Sequence, residues 1–148
     1  MRVVLFLLIF VFLHSANLHF NLYKKGDGNN TLLVIGGIHG NEPGGYFAPS
    51  FLVRFYTIKK GSLWVVPNLN FDSIIKFKRG VYGDMNRKFA FISQYDKDYK
   101  IVNDIKKIIL DPKVDLVLNL HDGHGFYRKY WQNSIFNPAA WGQAFIFS

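Results

Sequence analysis

Apolar and polar residues alternate over Leu18–Tyr23 (LHFNLY), which predicts a half-exposed edge strand. Lys24–Asn30 follows as a turn cluster containing Gly26, Asp27, Gly28, Asn29 and Asn30. Leu32–Ile35 is apolar without interruption, as in a buried strand, and breaks at Gly36-Gly37. From Pro43 to about Tyr56, the residues Tyr46, Phe47, Phe51, Leu52 and Phe55 recur close to helical spacing. Pro43 suits the first turn of such a helix. Pro49 is comfortable only near a helix start, so the boundary there stays open.

Gly61 ends that element, and Ser62–Val66 (SLWVV) predicts another apolar strand that stops at Pro67-Asn68. Asn68–Phe91 has little periodicity but keeps Phe71, Ile74, Ile75, Phe77, Tyr82, Met85 and Phe89, which argue for an ordered, functional stretch. Asp98–Leu110 is the clearest helix. Ile101, Val102, Ile105, Ile108 and Ile109 share one face, and Lys100, Asn103, Asp104, Lys106 and Lys107 take the other. Asp111-Pro112 stops it, and Val114–Leu120 reads as a strand that delivers His121 and Asp122 at its end. Strands alternating with helices predict an α/β layered fold, in which ligands sit beyond the carboxyl ends of strands.

The N-terminus changes the picture. Arg2 precedes the apolar run Val3–Leu13, which is followed by His14-Ser15-Ala16. The run is too short to span a bilayer and reads as a secretion signal, with cleavage expected after Ala16 and residues 17–148 forming the N-terminal part of one domain. An uncleaved anchor or a buried strand is the competing reading. The 148 residues give room for a single domain with a core, and the 49% apolar content excludes a disordered chain. The formal net charge of +8 admits nucleic acid, anionic surfaces or acidic small molecules as partners. No Lys/Arg block exceeds two residues, which argues against a nucleic-acid-binding arm. With no cysteine, disulfide scaffolds and thiolate metal sites are excluded.

Candidate chemistry is concentrated at strand ends. His39 and Glu42 stand at H-x-x-E spacing after the Leu32–Ile35 strand, and His121 ends the Val114–Leu120 strand. Two imidazoles and a carboxylate form a donor set that zinc accepts, with a fourth position for water. H-x-x-E alone is common, and a plain polar loop remains the alternative for that pair. Between the two clusters lies GDMNRKF, residues 83–89.

At this point the sequence resembles the M14 family of zinc metallocarboxypeptidases and its deacylase relatives, whose H-x-x-E, D-x-N-R and later strand-end His motifs stand here as HGNE, DMNR and NLHD. GGIHGNEPGGYF, VVPNLN, RG-x-x-GDMNRKFA and LNLHDGHGFYR are most similar to the peptidoglycan-trimming branch, periplasmic enzymes of curved and helical Gram-negative bacteria. The resemblance covers roughly residues 30–130. It implies a three-layer zinc-carboxypeptidase-like α/β fold with a mixed central sheet. It also implies Zn2+ held by His39, Glu42 and His121, a substrate carboxylate gripped by Asn86 and Arg87, and an oxyanion stabilised by Arg79. The implied partner is a peptidoglycan stem peptide (muropeptide), from which the terminal meso-diaminopimelate of a tripeptide is removed to set cell shape. The implied location is the periplasm, with no membrane span after signal cleavage and no nucleic acid. The residue types suit these roles: Arg87 offers a planar fork for a carboxylate, and an arginine at a developing oxyanion acts as fixed electrostatic stabilisation. Asp84 reads as the structural partner of a nearby arginine, and Asp122 either orients a ligand histidine or caps a turn. His14, His19 and His124 are not expected to be ligands; Trp64, Trp131 and Trp141 are expected to pack.

The chain departs from the family in one respect. The family's general base is a glutamate well beyond the last zinc histidine, whereas Glu42 is the sole glutamate here and no acid stands beyond Asp122. Gln143–Ser148 reads as the start of a strand, which predicts an N-terminal portion of a longer catalytic domain, weak or inactive as a peptidase. Two alternatives stay open: a deacylase of N-acyl amino acids, and a non-catalytic module that binds cell-wall peptides through zinc, Arg79 and Arg87.

Overall fold

The computed structural model describes residues 19–140 and 142. The expected signal segment, Trp141 and the expected C-terminal strand at 143–148 lie outside them.

Four strands form one sheet: β1 (Tyr23–Gly26), β2 (Thr31–Ile35), β3 (Ser62–Val66) and β4 (Val114–Asn119), in spatial order β1-β3-β2-β4. β2 is parallel to β3 and to β4, while β1 runs antiparallel to β3, so the sheet is mixed. The apolar runs of β2 and β3 are buried because helices cover both faces, the condition under which strands lose their alternation. Leu33, Ile35, Trp64 and Val66 meet Val102, Ile105 and Ile108 of α3 (Tyr99–Ile109) on one face. Val34, Leu63 and Val65 meet Leu52 and Val53 of α1 (Pro43–Phe55) on the other. The chain leaves β2 through α1 to β3, then returns through α3 to β4 on the opposite side of β2. The direction of winding reverses between β2 and β4, and in such sheets ligands sit beyond the carboxyl ends of the strands at that point.

The predicted helix at 98–110 and the strands at 32–35, 62–66 and 114–120 are present within a residue or two. The first strand is displaced: it occupies Tyr23–Gly26, running from the last residue of the predicted strand Leu18–Tyr23 into the predicted turn cluster. The reason lies in two lysines that local sequence reads as loop residues. Lys24 places its ammonium 3.5 Å from the centre of the Trp64 ring, and Lys25 hydrogen-bonds the carbonyls of Leu52, Val53 and Tyr56 at the end of α1. Both favour positive charge at those points, and charged side chains also suit an edge strand.

α1 differs in two ways from its sequence pattern. Pro49 sits in its interior, not near its start, and is buried. Its ring and the Gly45 carbonyl oxygen both press on Gly36, where any Cβ would overlap them. The close approach of helix to strand end, made possible by Gly36, is what the proline packs into. The aromatic residues Phe47, Phe51 and Phe55 face outward, each about half exposed or more, and their rings follow one another along the helix at 6.3 and 5.9 Å. Trp64 packs in the core as expected, but Trp131 is exposed.

The 68–91 stretch is ordered by two short elements, α2 (Phe71–Ile75) and a 3-10 turn at Met85–Arg87, with Met85 fully buried. β5 (Phe126–Tyr127) and β6 (Phe136–Asn137) make a separate two-stranded ladder after the β4 end. At the other end of β4 the pairing with β2 is irregular. Thr31 faces Val114 and Leu32 faces Leu116, which leaves Asp115 as an extra residue, a bulge. Its carboxylate accepts the Thr31 N–H at 2.7 Å, so the unmatched position is satisfied.

Gly36→Ala forces the α1–β2 contact apart. We expect it to lower stability by about 1–3 kcal/mol, the usual scale of overpacking, read as a reduced urea midpoint; an unchanged midpoint would show that the contact has slack.

Candidate metal centre

His39 and Glu42 lie in the turn that leaves β2, and the following Pro43 opens α1. That turn is pinned from beneath. Gly40 donates its N–H to Lys78 O at 3.0 Å, and a Cβ at Gly40 would overlap the backbone of Ser73 and Ile74. His121 arrives from the end of β4, whose register is carried to the last pair by Leu120 N–H on Ile35 O at 2.8 Å. The glycines of the PGG segment allow the two ends to meet: a side chain at Gly44 would overlap the Asp122 carboxylate, and one at Gly45 would press on the Leu120 carbonyl oxygen.

The three side chains converge. His39 donates Nδ1–H to Glu42 Oε1 and His121 donates Nδ1–H to Glu42 Oε2, each at 2.8 Å. The two rings lie 4.9 Å apart, and one donor atom from each of His39, Glu42 and His121 falls within 4.8 Å of the others. His39 is buried, Glu42 is partly so, and His121 is exposed. Two imidazole nitrogens and a carboxylate oxygen at this spacing match the donor types and number of a zinc site with one open position. The outer ring nitrogens are also held. Asp84 Oδ1 accepts His39 Nε2–H at 2.8 Å, and Asn119 donates its amide to His121 Nε2 at 3.0 Å. A carboxylate on the far side of a histidine fixes the orientation of the ring, the arrangement that supports metal ligation.

Arg79 closes the cluster. Its NH1 donates to Glu42 Oε1 and its Nε to Asp84 Oδ2, both at 3.0 Å, while about half of its side chain stays exposed. Burial pushes the Glu42 carboxyl up, but the hydrogen bonds and positive charge of His121 and His39 outweigh it and hold it below its ordinary value. Asp84 likewise feels an upward push from burial, overcome by the hydrogen bonds of His39 and Arg79, and settles at about 2.

Of the residues singled out from sequence, His39, Glu42, His121 and Arg79 are brought together. Asn86 and Arg87 are not in contact with them; they stand on the 3-10 turn whose first N–H bond, from Asn86, is accepted by Asp84 at 3.0 Å. Arg87 is exposed, and no acid among the described residues pairs with it. Asp84 is indeed an arginine's partner, as expected, but its bond to His39 was not legible: no local pattern announces a contact 45 positions away in the chain. The Asp122 carboxylate makes no hydrogen bond to the His121 ring. It accepts the Gly44 N–H at 2.8 Å and so caps α1, which has no capping bond from its own Glu42. Its backbone N–H reaches Glu42 Oε2 at 3.2 Å. His19 pairs with Asp104, away from the cluster.

The family model described as the catalytic part of a carboxypeptidase controlling helical cell shape matches residues 1–148. No curated protein sequence matches the chain. Among solved structures, the tripeptide-bound cell shape determinant protein Csd4 of Helicobacter pylori is 38% identical, with a TM-score of 0.75 over 82% of this chain and 31% of its own. An mDAP-bound form of Csd4, described as a D,L-carboxypeptidase, is 39% identical, with a TM-score of 0.73 over 80% and 30%. An aspartoacylase family protein from Mesorhizobium loti is 28% identical, with a TM-score of 0.57 over 70% and 34%. The chain thus spans about a third of the length of these relatives. The layered α/β fold with a mixed sheet agrees with the architecture expected from the sequence.

The Asp84 carboxyl gives a pH-dependent test. Its folded value, about 2, lies below the ordinary 3.8, so on acidification the unfolded chain takes up a proton first. Its contribution to stability is complete above the ordinary value and is lost as pH falls towards 2. Asp84→Asn is therefore expected to lower the urea midpoint at pH 7, with the gap to the unaltered chain closing by about pH 2–3. A gap that stays constant with pH would contradict the assignment.

Proposed function

Since this chain belongs to the family of carboxypeptidases controlling helical cell shape, we propose that it is a zinc-binding chain that recognises peptidoglycan stem peptides ending in meso-diaminopimelate. The observation that carries the reading is the convergence of His39, Glu42 and His121, with Asp84 behind His39. The tripeptide and mDAP bound in structures of Csd4 support the substrate class.

His39, Glu42 and His121 would hold the ion. Zinc, when bound, polarises a carbonyl and lowers the pKa of coordinated water. Asp84 keeps the Nε2–H of His39 engaged, so that Nδ1 is the nitrogen offered to a metal, and loading requires both Nδ1 protons to leave. Arg79 lies against Glu42 with half of its side chain exposed, in reach of charge developing beside that carboxylate. Asn86 and Arg87 grip the peptide's terminal carboxylate; the guanidinium supplies two parallel donors, and no acid among the described residues neutralises it. Hydrolysis needs in addition a group that takes a proton from water and passes it to the leaving amine. Glu42 is the only glutamate and is engaged by four donors. This chain by itself is therefore expected to bind the peptide with weak or absent turnover. That observation favours, as a second reading, a binding module without catalysis over a deacylase. Secretion through residues 1–16 into the periplasm belongs to the same proposal and rests on the Arg2 and Val3–Leu13 pattern. Among the described residues no helix is long and apolar enough to cross a membrane.

Zinc should raise the melting temperature of the purified chain, a chelator should reverse the shift, and His39→Ala or Glu42→Gln should abolish it. Zinc-loaded chain should bind a muropeptide tripeptide, with Arg87→Ala weakening it by about tenfold or more, the worth of a hydrogen bond between charged groups. Mass spectrometry of the recovered peptide distinguishes binding from cleavage. A melting curve indifferent to zinc would sink the metal assignment, and rapid release of diaminopimelate would sink the expectation of weak turnover.

A further inference from the structure

Arg87 and Lys88 are adjacent cations with opposite fates. Lys88 is largely buried, and its ammonium donates to Tyr82 O at 2.6 Å, to Asp96 Oδ1 at 2.8 Å and to Asp98 Oδ2 at 2.8 Å. All three ammonium protons are used. Asp98 is itself buried to 2% exposure, stands at the start of α3 and accepts the Val102 N–H through its carbonyl at 2.9 Å. Asp96 also accepts the Asp98 N–H at 2.8 Å, so the two carboxylates are held relative to each other before Lys88 arrives. Lys97, between them, lies 5.0 Å from the Tyr82 ring centre. Lys88 thus ties both ends of one loop, the Tyr82 backbone and the α3 start, to a single point.

That loop carries the proposed carboxylate grip. Inside it, Met85 is buried in the core and Asp84 accepts the Asn86 N–H. Asn86 and Arg87 therefore lie between a fixed point on their N-terminal side and the Lys88 cage on their C-terminal side. The loop is tight for a second reason: Gly83 has φ +100, and a Cβ at Gly80 would overlap the Gly83 carbonyl, so this crossing needs glycine at both places. Because the Lys88 charge is neutralised by two carboxylates, Arg87 is the cation of the pair that stays available.

The geometry points to Lys88 as a positioning residue: through Tyr82, Asp96 and Asp98 it fixes the backbone from which Arg87 meets the carboxylate of an anionic peptide. This inference rests on the reading of Arg87 given above. Removing the tether leaves Arg87 in place chemically but spreads it over many orientations, so the ordering cost falls on binding.

The test separates positioning from stability. Lys88→Met leaves Asp98 buried without a counter-charge and should destabilise the chain; Lys88→Met with Asp98→Leu removes the buried pair, leaves only the more exposed Asp96 carboxylate and should restore stability, since a buried pair replaced by apolar groups is commonly tolerated. Each variant is compared with the unaltered chain and Arg87→Ala, all zinc-loaded, by calorimetric titration with the muropeptide tripeptide and with zinc. The expected result is tripeptide binding weaker by about tenfold in the double variant, approaching Arg87→Ala, with its zinc affinity and urea midpoint near those of the unaltered chain. Tripeptide binding that recovers together with stability would show that Lys88 only supports the fold and would overturn the inference. If Arg87→Ala itself leaves tripeptide binding unchanged, or the unaltered chain binds none, the grip reading fails and the positioning role falls with it. Should Lys88→Met not fold, the double variant decides alone.

Discussion

The Glu42 carboxylate collects four donors from three separate parts of the chain: His39 from its own turn, His121 and the Asp122 backbone from the end of β4, and Arg79 from the loop after α2. A partly buried carboxylate is costly unless it is paired in this way. The need is mutual, because His39 is buried and Arg79 and His121 bring concentrated donor capacity to the same point. Satisfying that one group requires β2 and β4 to be adjacent and parallel, and requires the loop to fold back over their ends. The sheet order and the glycines of the PGG segment are the means by which both conditions are met.

Charges alternate outward from this centre. Arg79 bridges Glu42 and Asp84, Asp84 holds the far side of His39, and the same carboxylate organises the turn that carries Asn86 and Arg87. A single aspartate therefore links the proposed metal ligand to the proposed substrate contact through two bonds on one oxygen and one on the other. Networks of this kind strengthen when every member is satisfied and weaken sharply when one is removed. Among the described residues, no buried side-chain nitrogen or oxygen lacks a hydrogen-bond partner.

Much of this fold could be read in the sequence because its signals are periodic. The apolar runs of β2 and β3 and the one-sided pattern of α3 need only local counting. The three residues His39, Glu42 and His121 were legible because each ends or directly follows such a run. Features that depend on distant contacts were not. Lys24 and Lys25 look like loop residues until Trp64 and the end of α1 are known. Pro49 argues against a helix interior until Gly36 is seen to leave room for it. Asp122 caps a helix 78 positions earlier in the chain, and Asp84 reaches a histidine 45 positions earlier. No spacing rule encodes either. Phe47, Phe51 and Phe55 show the reverse case: a helical aromatic spacing is present, yet it marks an outward line and not the core.

The bulge at Asp115 takes up one residue of β4, and the count beyond it brings His121 to Glu42. Alternate residues of a strand face opposite sides, so a residue lost beyond the bulge, between Leu116 and Leu120, would draw His121 into the place of Leu120 and turn the imidazole away from Glu42. Loss of Asp115 itself would only remove the bulge and leave Leu32–Ile35 paired with Leu116–Asn119 as before. Insertions and deletions along this strand are therefore not equivalent to those in the surface loops, even far from the cluster. Residues added between β5 and β6 leave the donor set intact, whereas one lost between Leu116 and Leu120 disassembles it without altering any of its members. In a lineage carrying this sequence, the length of β4 is as much a part of the site as the identity of His121.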